Sequence, residues 1–192
     1  MRDANIFDDL PESASWLHEG ARVGFENVFI RETSRGRRFS GHTAAVEDQR
    51  PWTVRYEIGA DRRWRTRTAD VWVWNQSTGS RISLRHDGSG RWTVNGAHAP
   101  HLDGCMDVDL ESSACTNTLP VHRLGSDTQP REAPAAYVRV DGVVERLEQT
   151  YRRDAEGGAY DYRAPRFDFA ARLQYDRHGL VLEYPGIARR LL

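Results

Sequence analysis

The stretch 52-WTVRYEIGADRRWRTRTADVWVW-74 decides the fold. Trp52, Val54, Tyr56 and Ile58 alternate with Thr53, Arg55 and Glu57, a period of two that marks a half-buried strand. Gly59-Ala60-Asp61-Arg62 turns the chain. A second strand then runs from Trp64 to Trp74, with Trp64, Thr66 and Thr68 on one parity and Val71 and Val73 on the other. That parity shift near Asp70 predicts a bulge or a change of environment. Strand, short turn and strand make antiparallel neighbours, because a parallel return needs a long crossover.

The same pattern extends both ways. Toward the N-terminus, Ser34-Arg35-Gly36 is a turn, Phe39–Val46 a strand and Glu47–Pro51 a loop. Residues 1–14 read as a loose lead-in. Toward the C-terminus, Thr78-Gly79 turns, Ile82 and Leu84 form a short strand, and Asp87–Gly90 is a hairpin loop leading to Trp92. Beyond residue 134, strands are predicted at Ala136–Val140, from Val143 through Arg153, around Tyr160 and Tyr162, across Phe167–Tyr175, and at Leu180–Tyr184. The tail Ile187–Leu192 is left as a helical turn or an edge strand. About ten strands at regular spacing predict an all-β sandwich, roll or barrel. Only Cys115–Leu124 offers a short helix, and Pro120 limits it.

The densest polar chemistry lies between Gly90 and Leu124. Asn95-Gly96 is a turn dipeptide that tolerates positive φ. In Asp103-Gly104-Cys105-Met106-Asp107-Val108-Asp109-Leu110, an extended backbone puts Asp103, Cys105, Asp107 and Asp109 on one face. Thr116-Asn117-Thr118-Leu119-Pro120 follows as a capping and turn sequence.

These residues carry a resemblance. Val94-Asn95-Gly96, Pro100, Leu102–Cys105, Asp107–Leu110 and Thr116–Pro120 together look like the signature of a bacterial family called putative glycolipid-binding proteins. Trp64-Arg65-Thr66-Arg67, Gln149-Thr150-Tyr151, Gly179-Leu180-Val181 and Tyr184-Pro185-Gly186 resemble other parts of its pattern, so the likeness covers nearly the whole chain. Cys115 departs from it. The length of 192 residues suggests one domain over 1–192, which the extent of the resemblance fits. The resemblance implies a large antiparallel sheet rolled into a half-barrel or β-roll, with little helix, as in half-barrel lipid carriers. It also implies a carrier for an apolar or glycolipid-like ligand.

Composition agrees with a polar, globular chain. Its 192 residues suffice for a sizeable core. Net charge is −1, so nothing draws it generally to nucleic acid or an anionic membrane. All 27 basic residues are Arg, which fits a G+C-rich genome or an anion-binding role. The first residues lack the apolar run of a signal peptide, and no stretch has transmembrane length. The expectation is a cytoplasmic protein, monomeric or homodimeric, with Cys105 and Cys115 as free thiols. Asn75-Gln76-Ser77 is a sequon that matters only on a secreted chain.

Four chemical readings follow. Asp103, Asp107, Asp109 and Glu111 could gather a hard cation, but the glycine and terminal Glu of an EF-hand loop are missing, so no metal or cofactor is expected. The same acids can instead bond turn amides, pair with Arg, or face a ligand. Cys105 with His98, His101 or His122 has the residue types of a nucleophilic site, and an enzyme or sensor built on the Asp/Cys/Asn cluster of 103–117 is the alternative function. Lastly, Trp64, Arg65, Arg67, Trp72, Trp74, Tyr151, Tyr160 and Tyr162 could line a concave sheet around an amphiphile. The predicted ligand set is Trp64, Arg67, Trp72, Trp92, Asp103, Asp107, Asp109, Asn117 and Tyr151. Arg67 is expected to meet Asp107 or Asp109 beside Asn117, since an isolated buried charge is costly.

Overall fold

The computed structural model describes residues 6–76 and 79–191. Residues 1–5 of the lead-in, Ser77 of the sequon, Thr78 of the predicted turn and Leu192 lie outside them. Two antiparallel meanders make one open sheet of 14 strands. The first meander is β1 (Ser13–His18), β2 (Arg22–Thr33), β3 (Gly36–Glu47), β4 (Arg50–Asp61), β5 (Thr66–Asn75), β6 (Gly79–His86), β7 (Trp92–Val94) and β8 (Ala97–His98). The chain then crosses the inner side of the sheet. It forms a 3-10 turn at Pro100–Leu102, β9 (Asp107–Leu110), a 3-10 turn at Cys115–Asn117, α1 (Thr118–Leu124), β10 (Arg131–Glu132), β11 (Ala135–Val138) and β12 (Val144–Leu147). The second meander is β13 (Thr150–Arg153), β14 (Ala159–Ala164), β15 (Phe169–Tyr175), β16 (Val181–Tyr184) and β17 (Ala188–Leu191), and β10 pairs with β13 as the fourteenth strand, at the edge of the large sheet.

β1 pairs with β17, so the two ends of the chain meet mid-sheet and join the meanders. The tail is therefore an interior strand and not a helical turn or an edge. Residues from Ile6 onward are also tied down: the Asp8 N–H donates to the Arg177 carbonyl, and buried Phe7 packs on His122 with ring centroids 4.5 Å apart. The crossing segment makes its own three-stranded sheet, β12–β11–β9, in which β9 and β11 are parallel. Its strands have four residues or fewer.

The long hairpin behaves as its alternation predicts. Trp52, Val54, Tyr56, Ile58 and Ala60 all point into the core. The bulge exists, but it sits at Arg67: Gly59 faces Thr68 while Ala60 faces Thr66, leaving Arg67 unpaired. At Asn95-Gly96 the φ values of 51° and 85° close the tight β7–β8 hairpin. Pro120 is the third residue of α1, in the first turn, where no intrahelical donor is needed. Gly41 is required by contact: a Cβ there would lie 2.1 Å from the ring of Tyr56, its cross-strand partner on β4.

Apolar side chains from both sheets merge into one buried cluster. Leu102, Val108, Leu110, Leu119, Val121, Ala136 and Leu147 of the crossing segment press into the concave side. The roll is thus mostly filled, and what remains open is a cleft. No helix among the described residues is long and apolar enough to cross a membrane.

Candidate functional site

The cleft holds about 220 Å3 between the crossing segment and the second meander. Its walls are aromatic. Tyr137 comes from β11, Tyr162 from β14, Phe169 from β15 and Tyr184 from β16, with Phe167 at the lip on the 3-10 turn Pro165–Phe167. Tyr162, Phe169 and Tyr184 touch pairwise, with centroids 5.9–6.1 Å apart. Tyr137 meets Phe167 at 5.6 Å, and Phe167 is half exposed. Desolvation pushes the Tyr137, Tyr162 and Tyr184 phenols above their ordinary range, so they stay neutral.

The floor is polar: Asp109, Ser113 and Asn117. Each is held from behind. The Thr116 hydroxyl donates to Asp109 Oδ1 at 2.8 Å. Burial pushes the Asp109 carboxyl up to about 6, with the neighbouring Asp107 acting in the same direction and the Thr116 bond opposing it. Tyr151 donates its hydroxyl to Asn117 Oδ1 at 2.7 Å, which orients the amide. Ser113 Oγ donates to Glu26 Oε1 at 2.5 Å. Glu26, fully buried on β2, also accepts the Tyr56 hydroxyl at 2.6 Å and the Ala114 N–H at 2.8 Å. Three first-meander strands therefore anchor the loop under the cleft, β3 joining through Thr43 Oγ1 to the Ser112 carbonyl at 2.8 Å. At the mouth, Arg22 Nη1 donates to the Glu111 carbonyl at 2.6 Å.

Of the nine predicted ligand residues, Asp109 and Asn117 line this cleft, and Tyr151 supports Asn117 from the core. The rest lie elsewhere. Asp107 is buried in an ion pair with Arg123, Nη2 to Oδ2 2.5 Å. Arg67 meets neither aspartate. Standing at the bulge, its side chain is 39% exposed, donates to the His86 and Asp87 carbonyls, and lies 3.7 Å from Asp61. Arg65 likewise pairs with Asp61, so the expected partner across the fold is replaced by a local one. Trp72 packs on the outer face between Arg55 and Arg81. Trp92 is core, stacked on His86 and donating to the Cys105 carbonyl. Asp103 lies in a turn, 3.4 Å from His98, because the extended run begins only at Asp107. Trp64 lines a different, arginine-rich groove.

The sequence reading missed Tyr137, Phe167, Phe169, Tyr184, Ser113 and Glu26 as site residues. Phe167 and Phe169 belong to the Phe167–Tyr175 alternation, and Tyr184 to a quoted family motif, so three of these signals were present. Glu26 had none, since only the register β2–β3–β4 brings it to the loop.

Among the described residues, no three His, Cys, Asp or Glu side chains converge to hold a metal. The Cys105 thiol lies 3.6 Å from Arg146 and, among the described residues, has no imidazole partner; burial pushes it up to about 11. Cys115 is buried and shifted the same way. Both should resist a water-soluble disulfide reagent in the folded protein and react fully in denaturant. Rapid reaction of either thiol in the native state would revive a nucleophilic role.

Among curated proteins none matches the chain. A crystal structure of a DUF1089 family protein from Pseudomonas aeruginosa is similar to it at 28% identity, with a TM-score of 0.76 over 98% of this chain and 97% of that one. Residues 13–190 match the family described as "Putative glycolipid-binding", and with that coverage of the β-roll and its cleft the chain belongs to this family.

Proposed function

We propose that the protein binds a glycolipid-like amphiphile by its head, seating one sugar ring in the aromatic cleft. The observation that carries this reading is the pairing of aromatic walls with a polar floor. Tyr162, Phe169 and Tyr184 offer flat faces to the C–H side of a sugar, while Asp109, Ser113 and Asn117 offer acceptors and donors to its hydroxyls. Volume decides which part of the ligand enters. About 220 Å3 is below the ~300–1,000 Å3 of a site that swallows a whole drug-sized molecule. A single ring fits, and the alkyl chain leaves past half-exposed Phe167. The family description supports a glycolipid-like ligand.

The test uses octyl glucoside, octyl galactoside and octyl mannoside below their micelle concentrations, with octanol as the headless control, measured by calorimetry. At least one glycoside should bind saturably, octanol should not, and Phe167→Ala should weaken binding about tenfold. Octanol binding as well as the glycosides, or an unaffected Phe167→Ala, would defeat the proposal. A second reading rests on Asp109: a carboxyl titrating near 6 in a desolvated cleft also suits a general acid. Turnover of nitrophenyl glycosides that disappears in Asp109→Asn would favour that reading over binding alone.

A further inference from the structure

The geometry points to a second site, separate from the cleft: an arginine-lined groove that takes a phosphate-type oxyanion with two negative charges. The groove, about 1110 Å3, runs between β3, the β4–β5 turn and the segment after α1. Six guanidinium groups line it, from Arg37, Arg62, Arg63, Arg65, Arg123 and Arg131, against one lining carboxylate, Asp127.

Charge pairing leaves two of the six uncompensated. Arg37 pairs with Glu32, Arg65 with Asp61, Arg123 with Asp107 and Arg131 with Asp127. Arg62 Nε and Nη2 both donate to the uncharged Ser34 carbonyl, at 3.2 and 2.8 Å. Arg63 has no carboxylate partner among the described residues. Asp61 is also shared with Arg67, which leaves Arg65 less than fully neutralised. The surplus matches a dianion, and guanidinium forks suit its oxygens.

Arg37 and Arg62 are held by contacts, and the backbone that carries Arg63 is fixed, before any ligand arrives, which lowers the entropic cost of binding. Arg37 lies over the Trp64 ring at 4.1 Å, and Trp64 stacks on His122 at 3.7 Å. Trp64 has φ of 63°, an unfavourable conformation for a bulky residue. Asp61 holds that turn by accepting the Arg63 and Arg65 N–H groups at 2.9 and 3.1 Å. Arg62 and Arg63 are both exposed in this turn and both line the groove. His122 is half-buried, its Nε2 bonded to the His178 carbonyl, and desolvation pushes its pKa down to about 3, so it stays neutral. The groove's positive charge is therefore all guanidinium and does not titrate near neutrality.

The full chain is titrated with inorganic phosphate at matched ionic strength, reading thermal stability and calorimetric heat. Phosphate should raise the melting temperature with saturation. Arg62→Gln/Arg63→Gln should weaken binding at least about tenfold, while Arg31→Gln/Arg38→Gln, an exposed cross-strand pair on the outer face, should not. Phe167→Ala in the cleft should leave phosphate binding unchanged, which separates this site from the first. Vesicles of phosphatidylcholine with and without phosphatidic acid then distinguish the source. Retention on the acidic vesicles that depends on Arg62 and Arg63 assigns a lipid headgroup, and phosphate binding without it assigns a soluble phosphate. Stabilisation by phosphate no greater than by chloride, or equal binding by the Arg62/Arg63 variant, would overturn the site.

Discussion

Arg123→Ala should destabilise the fold by about 3–5 kcal/mol, the usual cost of stranding one partner of a buried ion pair. Asp107 is 1% exposed, and Arg123 reaches it with two donors, Nη2 to Oδ2 at 2.5 Å and Nε to Oδ1 at 3.3 Å. Even with this partner, desolvation leaves the Asp107 carboxyl above its ordinary range. Without it the carboxyl must protonate to stay buried. Its folded pKa then lies further above the unfolded value, so the variant is least impaired in acid and loses stability as pH rises. Asp107→Asn in the Arg123→Ala background should recover much of the loss. Urea denaturation near pH 7 measures both. A cost under about 1 kcal/mol would mean that the pair behaves like an exposed one.

Asp109→Asn should act in the opposite direction. The Asp109 carboxyl titrates near 6 in the folded protein, whereas an unfolded Asp titrates near 3.9. A raised folded pKa favours folding at pH below the unfolded value, and that advantage is lost as pH climbs through the folded one. Two pH units at about 1.4 kcal/mol each put the cost of the ionised form at roughly 3 kcal/mol above pH 6. Asparagine keeps the shape and still accepts the Thr116 hydroxyl without carrying the charge. The variant should therefore match the wild type near pH 4 and exceed it by up to roughly 3 kcal/mol near pH 8. A stability difference that does not change with pH would show that Asp109 does not carry this cost. If the cleft recognises sugar hydroxyls through this carboxylate, the stabler variant should bind octyl glycosides more weakly.

Much of the architecture is written locally. The alternation Trp52–Ile58 puts one face of β4 inward whatever its neighbours are, because side chains of a strand alternate by geometry. Asn95-Gly96 specifies its hairpin through φ values that few other pairs tolerate. Pro120 permits α1 because it falls in a turn that lacks donors anyway. Asp109 and Asn117 were named as candidates from the acidic and capping motifs that hold them, and both line the cleft.

The pairings that cross the chain were not legible. Arg67 carries the same charge and parity as Arg65, and either could have reached Asp107 by sign alone. The bulge turned Arg67 outward toward Asp61, and α1 brought Arg123 over Asp107 instead. The aromatic walls come from β11, β14, β15 and β16 and from the 3-10 turn at Phe167, which meet only because β17 pairs with β1 and the crossing segment packs into the roll. Local sequence thus determined strands, turns and the acidic segment, since those depend on backbone sterics over a few residues. Tertiary structure decided which charge met which, and that the interior is a ring-sized cleft and not an open trough, because both depend on strand register and on side-chain volume brought from distant parts of the chain.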